Sequence, residues 1–261
     1  MTSNPDSIPD KAPGTSRYNN LFTRTFRSGA QILLMKPFVW SLLRVEIHGA
    51  EHFDVLQTDQ PFILVSNHCS HLDTPLLFGG MPVRLSNRMA TGAAADYFFK
   101  HWYLAGPTQM FFNAFPVQRA SQEATTMTER QRHGLAGRLL GQGVPLLIFP
   151  EGTRSRTGAM GPFHPGSAAL AISNVAPIVP AALIGSYAAW PASAQRWKAG
   201  RPPVHIVFGS PMYPQPGESA TAFSDRVRDI VVLLHDTTAT AYGMPTQAEL
   251  AARADMTKGR G

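Results

Sequence analysis

Apolar positions along the chain follow two rhythms, short continuous runs and longer stretches at helical spacing. The runs at 61–65 (Pro-Phe-Ile-Leu-Val), 144–149, 178–184 and 204–208 read as buried strands. Arg44-Val45-Glu46-Ile47-His48-Gly49 alternates with period two, the pattern of a short strand. Residues 87–91 suggest another strand, followed by an aromatic helical patch at 97–103 that fits either core or the lining of an acyl channel. Helical spacing appears at Leu76 to Phe78, with Thr74-Pro75 placing a hydroxyl at the cap and Pro at the first helical position. It recurs at Leu135, Ala136, Leu139 and Leu140, closed by Gly141 and Gly143. Small residues 168–172 after Gly166 form a third helix, and Phe223, Val227, Ile230, Val231 and Leu234 a fourth over about 219–240. This alternation predicts an α/β fold, a largely parallel sheet flanked by helices.

The two ends depart from that rhythm. Residues 1–16 are polar and rich in Pro and Ser, a disordered leader. Between Arg17 and Arg44 lie Arg24, Arg27 and Lys36 and no acid, interleaved with Leu33, Leu34, Phe38 and Trp40. Residues 17–44 therefore read as amphipathic helices in the headgroup region of an anionic membrane, with Trp40 as interfacial anchor; the alternative is an ordinary core helix with solvated cations. A second basic stretch, Arg196-Trp197-Lys198 with Arg201, is the other candidate for docking. Residues 45–243 form the main domain, and 244–261 read as a flexible tail.

The overall charge of +6 comes without any nucleic-acid-binding signature. No apolar run is long enough to span a bilayer; the best, 30–34, is short and interrupted by Lys36 and Pro37. The polar start does not fit a signal peptide. The expected location is peripheral or monotopic on the cytoplasmic face of the cell membrane. A single cysteine excludes a disulfide framework and a cysteine zinc site, and fits a reducing compartment.

The chemistry concentrates where strands end. Ser66-Asn67-His68-Cys69-Ser70-His71-Leu72-Asp73 follows the run at 61–65. On a continuous helix His68 and Asp73 would point about 140° apart, but across a strand-to-helix turn the chain can fold back. Asp73 can then accept from one ring nitrogen of His68, fix the tautomer and leave the other nitrogen as a base. Taken alone, the pair fits a polar rim better than a catalytic pair. Phe149-Pro150-Glu151-Gly152-Thr153-Arg154-Ser155-Arg156 also follows a strand, where α/β folds place ligands. It offers a glycine, hydroxyls and two forked cations suited to phosphate. Phe115-Pro116-Val117-Gln118-Arg119 and Ile178-Val179-Pro180-Ala181 complete the set.

In that order the four stretches resemble the glycerolipid acyltransferases, the lysophosphatidic acid acyltransferases. Asn67 to Asp73 stands as that family's first block and 149–155 as its third, both complete. The second block departs, with Pro116 where an aromatic is usual, and His164 stands where the family often has lysine. The resemblance, over roughly 45–212, implies His68 and Asp73 as a general-base dyad. It also implies an acceptor-binding group of Arg119, Glu151, Gly152, Thr153, Arg154 and Ser155 together with Asn67, and an apolar wall at Val179 and Pro180. Glu151 would bond the glycerol part or order the loop. The implied reaction moves an acyl group from acyl-CoA or acyl carrier protein to the free hydroxyl of a lysophospholipid, foremost 1-acyl-glycerol-3-phosphate, giving phosphatidic acid. No cofactor or metal is implied. Other acceptors (a lyso-aminolipid, glycerol-3-phosphate or a polyol), a Cys69 hydrolase and a non-catalytic lipid-binding module are the alternatives.

Overall fold

The computed structural model describes residues 29, 31–57, 60–94, 113, 115–117 and 134–258. The aromatic patch at 97–103 and Arg119 lie outside these residues. A seven-stranded sheet organises the described chain: β1 (Arg44–His48), β2 (Ile63–Ser66), β3 (Ala90–Ala94), β4 (Phe115–Val117), β5 (Leu146–Ile148), β6 (Ile178–Ile184) and β7 (Pro203–Phe208). Its order is β1-β7-β6-β2-β5-β3-β4. β2 runs parallel to β5 on one side and β6 on the other, with Val65 opposite Ile148 and Pro180. β1 and β7 are parallel to each other, but β7 is antiparallel to β6. The sheet is therefore largely parallel, as the alternation predicts; apolar runs alone do not encode the direction of the last strand.

Helices cover both faces: α1 (Lys36–Leu42), α2 (Asp73–Gly80), α3 (Val83–Ser86), α4 (Leu135–Gly141), α5 (Gly166–Asn174), α6 (Ser186–Ala189), α7 (Ala220–Ala241) and α8 (Gln247–Lys258). Alternate side chains of β2 part between two cores. Ile63 and Val65 join Leu139, Ala171, Phe223 and Val227 of α4, α5 and α7. Leu64 joins Leu76 and Leu77 of α2 with Phe53, Phe62 and Phe208. Burying one such Leu or Phe contributes roughly 1.5–3 kcal/mol, so the middle strand is pinned from both sides.

Four expectations change. Helix α2 begins at Asp73, one residue before Thr74, with Leu72 at the N-cap and no capping side chain. Pro82 and the single turn of α3 displace the expected strand at 87–91 to Ala90–Ala94. Trp40, expected as an interfacial anchor, is half-buried and lies against Gly79, where a Cβ would come within 2.7 Å of the indole, with Lys36 Nζ 5.1 Å from the ring centre. Instead of a loose tail, the chain after Met244 carries α8. A capping box starts it, with Thr246 N–H donating to Glu249 Oε2 (2.8 Å) and Glu249 N–H to Thr246 Oγ1 (3.4 Å). Gln247 fastens it, donating N–H to Asp236 Oδ1 and accepting from Met160 N–H.

Candidate active site

The strand-to-helix turn after β2 is built by its own polar side chains. Buried Asn67 takes the N–H of Leu183 on Oδ1 (2.8 Å) and donates Nδ2 to the same residue's carbonyl (3.0 Å). It thus clips the end of β2 to β6. Asp73, fully buried at the first position of α2, accepts on Oδ2 from the backbone N–H groups of Cys69 and Ser70, each at 2.7 Å. The same oxygen lies 2.8 Å from His68 Nδ1. The free N–H end of α2 favours a negative charge there. Ser70 closes the turn, donating Oγ to Trp190 O and accepting from Leu72 N–H.

A carboxylate can only accept, so Nδ1 carries the proton and Nε2 the lone pair. Among the described residues Nε2 has no hydrogen-bond partner, and the side chain is 21% exposed. Phe149 stacks on the ring at 3.9 Å and 15°, holding its plane. The arrangement holds the ring in one orientation and leaves its second nitrogen open.

The loop after β5 is locked to the same histidine. Buried Glu151 accepts His68 N–H on Oε1 (2.8 Å) and Gly161 N–H on Oε2 (2.9 Å). Burial pushes its carboxyl upward, and those two backbone N–H groups offset part of the rise. Ser155 donates its N–H to His68 O (2.7 Å), and its Oγ donates to Ala159 O while accepting from Gly158 N–H. Gly152 has φ +68°, the left-handed region that favours glycine.

Beside this loop is a cavity of about 460 Å³, lined by Glu151, Thr153, Arg154, Ser155, Arg156, Ala159, Gly161, Pro162 and His164. His68 is not among these lining groups; Glu151 and Ser155, bonded to its backbone, join it to the cavity wall. Arg154 Nη1 donates to His71 Nδ1 (2.7 Å), and His71 Nε2 donates to Ala192 O (3.2 Å). Burial first, and then the Arg154 charge, lower the His71 pKa. A neutral imidazole thus steadies the guanidinium. This pairing spans 83 positions, and only the shared polar character of the two motifs hinted at it.

Three residues expected to touch the acceptor are engaged elsewhere. Asn67 has both amide atoms on the β6 backbone, while Val179 and Pro180 are buried inside β6 and line neither the cavity nor the turn. They support the strand beside the motif. Cys69 is buried with Sγ 3.3 Å from Ser186 Oγ. Burial, and next the Asp73 charge, push its thiol well above the usual range, which disfavours a thiolate nucleophile.

The Acyltransferase family model matches residues 44–184. The 1-acyl-sn-glycerol-3-phosphate acyltransferase alpha of Bos taurus is 32% identical over 191 residues, covering 71% of this chain and 61% of that protein. The human protein of the same name is also 32% identical over 191 residues, at 71% and 62% coverage. The 1-acyl-sn-glycerol-3-phosphate acyltransferase of Limnanthes douglasii is 29% identical over 194 residues, at 74% and 61%. The chain thus spans about 61% of the length of these relatives. In fold it is similar to the crystal structure of the 1-acyl-sn-glycerophosphate (LPA) acyltransferase PlsC of Thermotoga maritima. That match has a TM-score of 0.57 and 24% identity, covering 80% of this chain and 78% of that one.

Proposed function

The chain belongs to the acyltransferase family, and from that premise we propose that it transfers a fatty acyl group from an acyl thioester to the free hydroxyl of 1-acyl-glycerol-3-phosphate, giving phosphatidic acid. The observation that carries this reading is the 2.8 Å contact of His68 Nδ1 with a buried carboxylate, which leaves Nε2 without a partner among the described residues, while Glu151 and Ser155, bonded to the His68 backbone, line a cavity with Arg154 and Arg156. The names of the curated relatives support the choice of acceptor.

In the proposed reaction the acceptor hydroxyl gives its proton to His68 Nε2 as its oxygen attacks the thioester carbonyl carbon. Asp73 holds the ring and balances the imidazolium charge. The tetrahedral adduct collapses with cleavage of the carbon–sulfur bond, and His68 returns the proton to the departing thiolate. Both substrates are present together and no acyl-enzyme forms. Base assistance of this kind contributes typically about 10²–10⁴ in rate. Holding the two substrates in attack geometry contributes further. Arg154 and Arg156, with Thr153, supply charge-assisted donors for the acceptor phosphate. Arg119 has the same role in this proposal. The donor is acyl-CoA or acyl carrier protein.

Membrane docking belongs to the same proposal. No described helix is long and apolar enough to cross a bilayer. Leu33, Leu34 and Phe38 are nonetheless exposed, and Phe38 meets Trp197 edge-on at 6.4 Å. The two stretches with separate docking potential in sequence thus meet at these two rings, and in this proposal they dock together.

The test is purified full-length protein given 1-acyl-glycerol-3-phosphate and acyl-CoA, then other acceptors and acyl carrier protein donors, read by thiol release and product mass. The expected result is phosphatidic acid from wild type, with His68→Ala slower by about 10²–10⁴. Thiol release no higher than that of His68→Ala, for every acceptor and donor, would overturn the proposal in favour of a lipid-binding module.

A further inference from the structure

On the sheet face covered by α7, away from the site above, three ligand-type side chains converge. Glu46 and His48 are two apart on β1 and so share a face, and His205 on β7 is the register partner of Glu46. His48 Nε2 is 3.3 Å from His205 Nδ1, and Glu46 Oε2 is 3.6 Å from His205 Nδ1 and 4.0 Å from His48 Nε2. Tyr242, directly after α7, tilts over His205 with ring centres 3.9 Å apart.

We propose that Glu46, His48 and His205 bind a divalent transition-metal cation of the zinc type, leaving a fourth position for water or an external ligand. Two imidazole nitrogens and one carboxylate oxygen are the donor set that zinc favours in three-ligand sites. Zinc bonds of about 2.0–2.1 Å at tetrahedral angles put neighbouring ligand atoms about 3.3–3.4 Å apart. The imidazole pair is already at that separation, and Glu46, 53% exposed, has room to swing inward.

Without a cation the triangle is poorly satisfied. A single proton can sit between the two facing nitrogens, and the carboxylate oxygen lies too far from either for a good hydrogen bond. Soft-to-borderline metals suit these ligands; Mg²⁺ and Ca²⁺, which prefer oxygen, do not. The bound cation would tie the outer strand β1 to β7 and, through Tyr242, to α7.

The experiment uses the full chain made without a polyhistidine tag and stripped with chelator, titrated with Co²⁺ and with Zn²⁺. Wild type is expected to bind one equivalent, with visible d–d absorption for Co²⁺, displacement of that band by Zn²⁺, and a higher thermal midpoint with Zn²⁺. His48→Ala and Glu46→Gln should each weaken binding at least about tenfold and lose most of the midpoint shift. Circular dichroism checks the fold. Glu46→Gln, exposed and equal in size, keeps the test decisive if His48→Ala unfolds. Absence of saturable binding in wild type, or equal affinity in folded variants, overturns the assignment.

Discussion

At the scale of single residues, the proposed chemistry depends on which nitrogen of His68 carries the proton. Asp73 Oδ2 fixes that choice because it also collects the N–H groups of Cys69 and Ser70 and is positioned as an acceptor. Asp73→Asn removes the negative charge; its amide oxygen must stay at the Oδ2 position to take the Cys69 and Ser70 N–H groups, so the ring keeps its Nδ1 proton but an imidazolium loses its counter-charge. The expected outcome is a fall in kcat on the order of 10²–10⁴ with little change in acceptor KM, read by steady-state thiol release. Arg154 makes the opposite demand. Arg154→Ala removes a charge-assisted donor from the cavity, a loss of roughly 1.5–3 kcal/mol, so acceptor KM should rise about 10- to 100-fold while kcat changes less. Equal loss for an acceptor without phosphate would show that Arg154 does not read that group. The nearness of His68 and Asp73 was legible in sequence because a strand end and helix start lie within one short motif. The engagement of Asn67 by Leu183, or of Arg154 by His71, was not, since each links residues more than 80 positions apart. A motif supplies polar atoms without saying which of them the backbone already holds.

Among the elements, the buried strands and long helices follow from apolar period, and β6 occupies 178–184, as its apolar run indicates. Starts and directions were harder to read. Asp73 is drawn into the first turn of α2 by the N–H groups it accepts, and the Thr246-to-Glu249 capping box marks a helix that low hydrophobicity concealed. Buried histidines on α7 and β7 add a pH dependence. For His235, burial lowers the pKa more than Asp236 raises it; for His205, burial is again the leading cause. An unfolded histidine titrates near about 6.5, so below that pH the unfolded chain takes up protons that the fold resists. This part of stability is present above the unfolded pKa and is lost as pH falls toward the lower folded values. The urea midpoint should therefore drop between pH 8 and pH 5 on the acid side of that range. His235→Asn, which keeps a polar group near the Nδ1 position, should make the decline shallower. An unchanged slope would mean that the acid loss arises elsewhere.

For the molecule as a whole, the proposed function requires an α/β domain to reach a lipid acceptor held in a bilayer. Composition alone gave two basic–aromatic stretches far apart in sequence, and no rule of spacing could join them. In the fold, Arg201 Nη2 donates to Trp40 O and Leu43 O, tying the second stretch to α1, and Phe38 meets Trp197. From Trp197 the aromatic contacts continue to Trp190 at 5.6 Å and on to His71 at 5.1 Å, within the turn between β2 and α2 and bonded to Arg154. The proposed docking surface therefore stands in direct side-chain continuity with the proposed phosphate site. A lysophospholipid has an anionic head and one tail, and this layout lets the head reach the arginines while the tail stays near the membrane. Phe38→Glu replaces a 55% exposed ring with a charge at the outer edge of that surface. Loss of one inserted aromatic corresponds to roughly 1.5–3 kcal/mol, so partitioning onto phosphatidylglycerol-containing vesicles should weaken about 10- to 100-fold. Added salt should weaken the wild type as well, because cations beside the patch contribute about 1 kcal/mol each near an anionic surface. Activity on vesicle-borne acceptor should fall with binding, while activity on a short-chain, monomeric acceptor should hold. If Phe38→Glu sediments with vesicles as wild type does, docking does not run through α1 and the Trp197 surface.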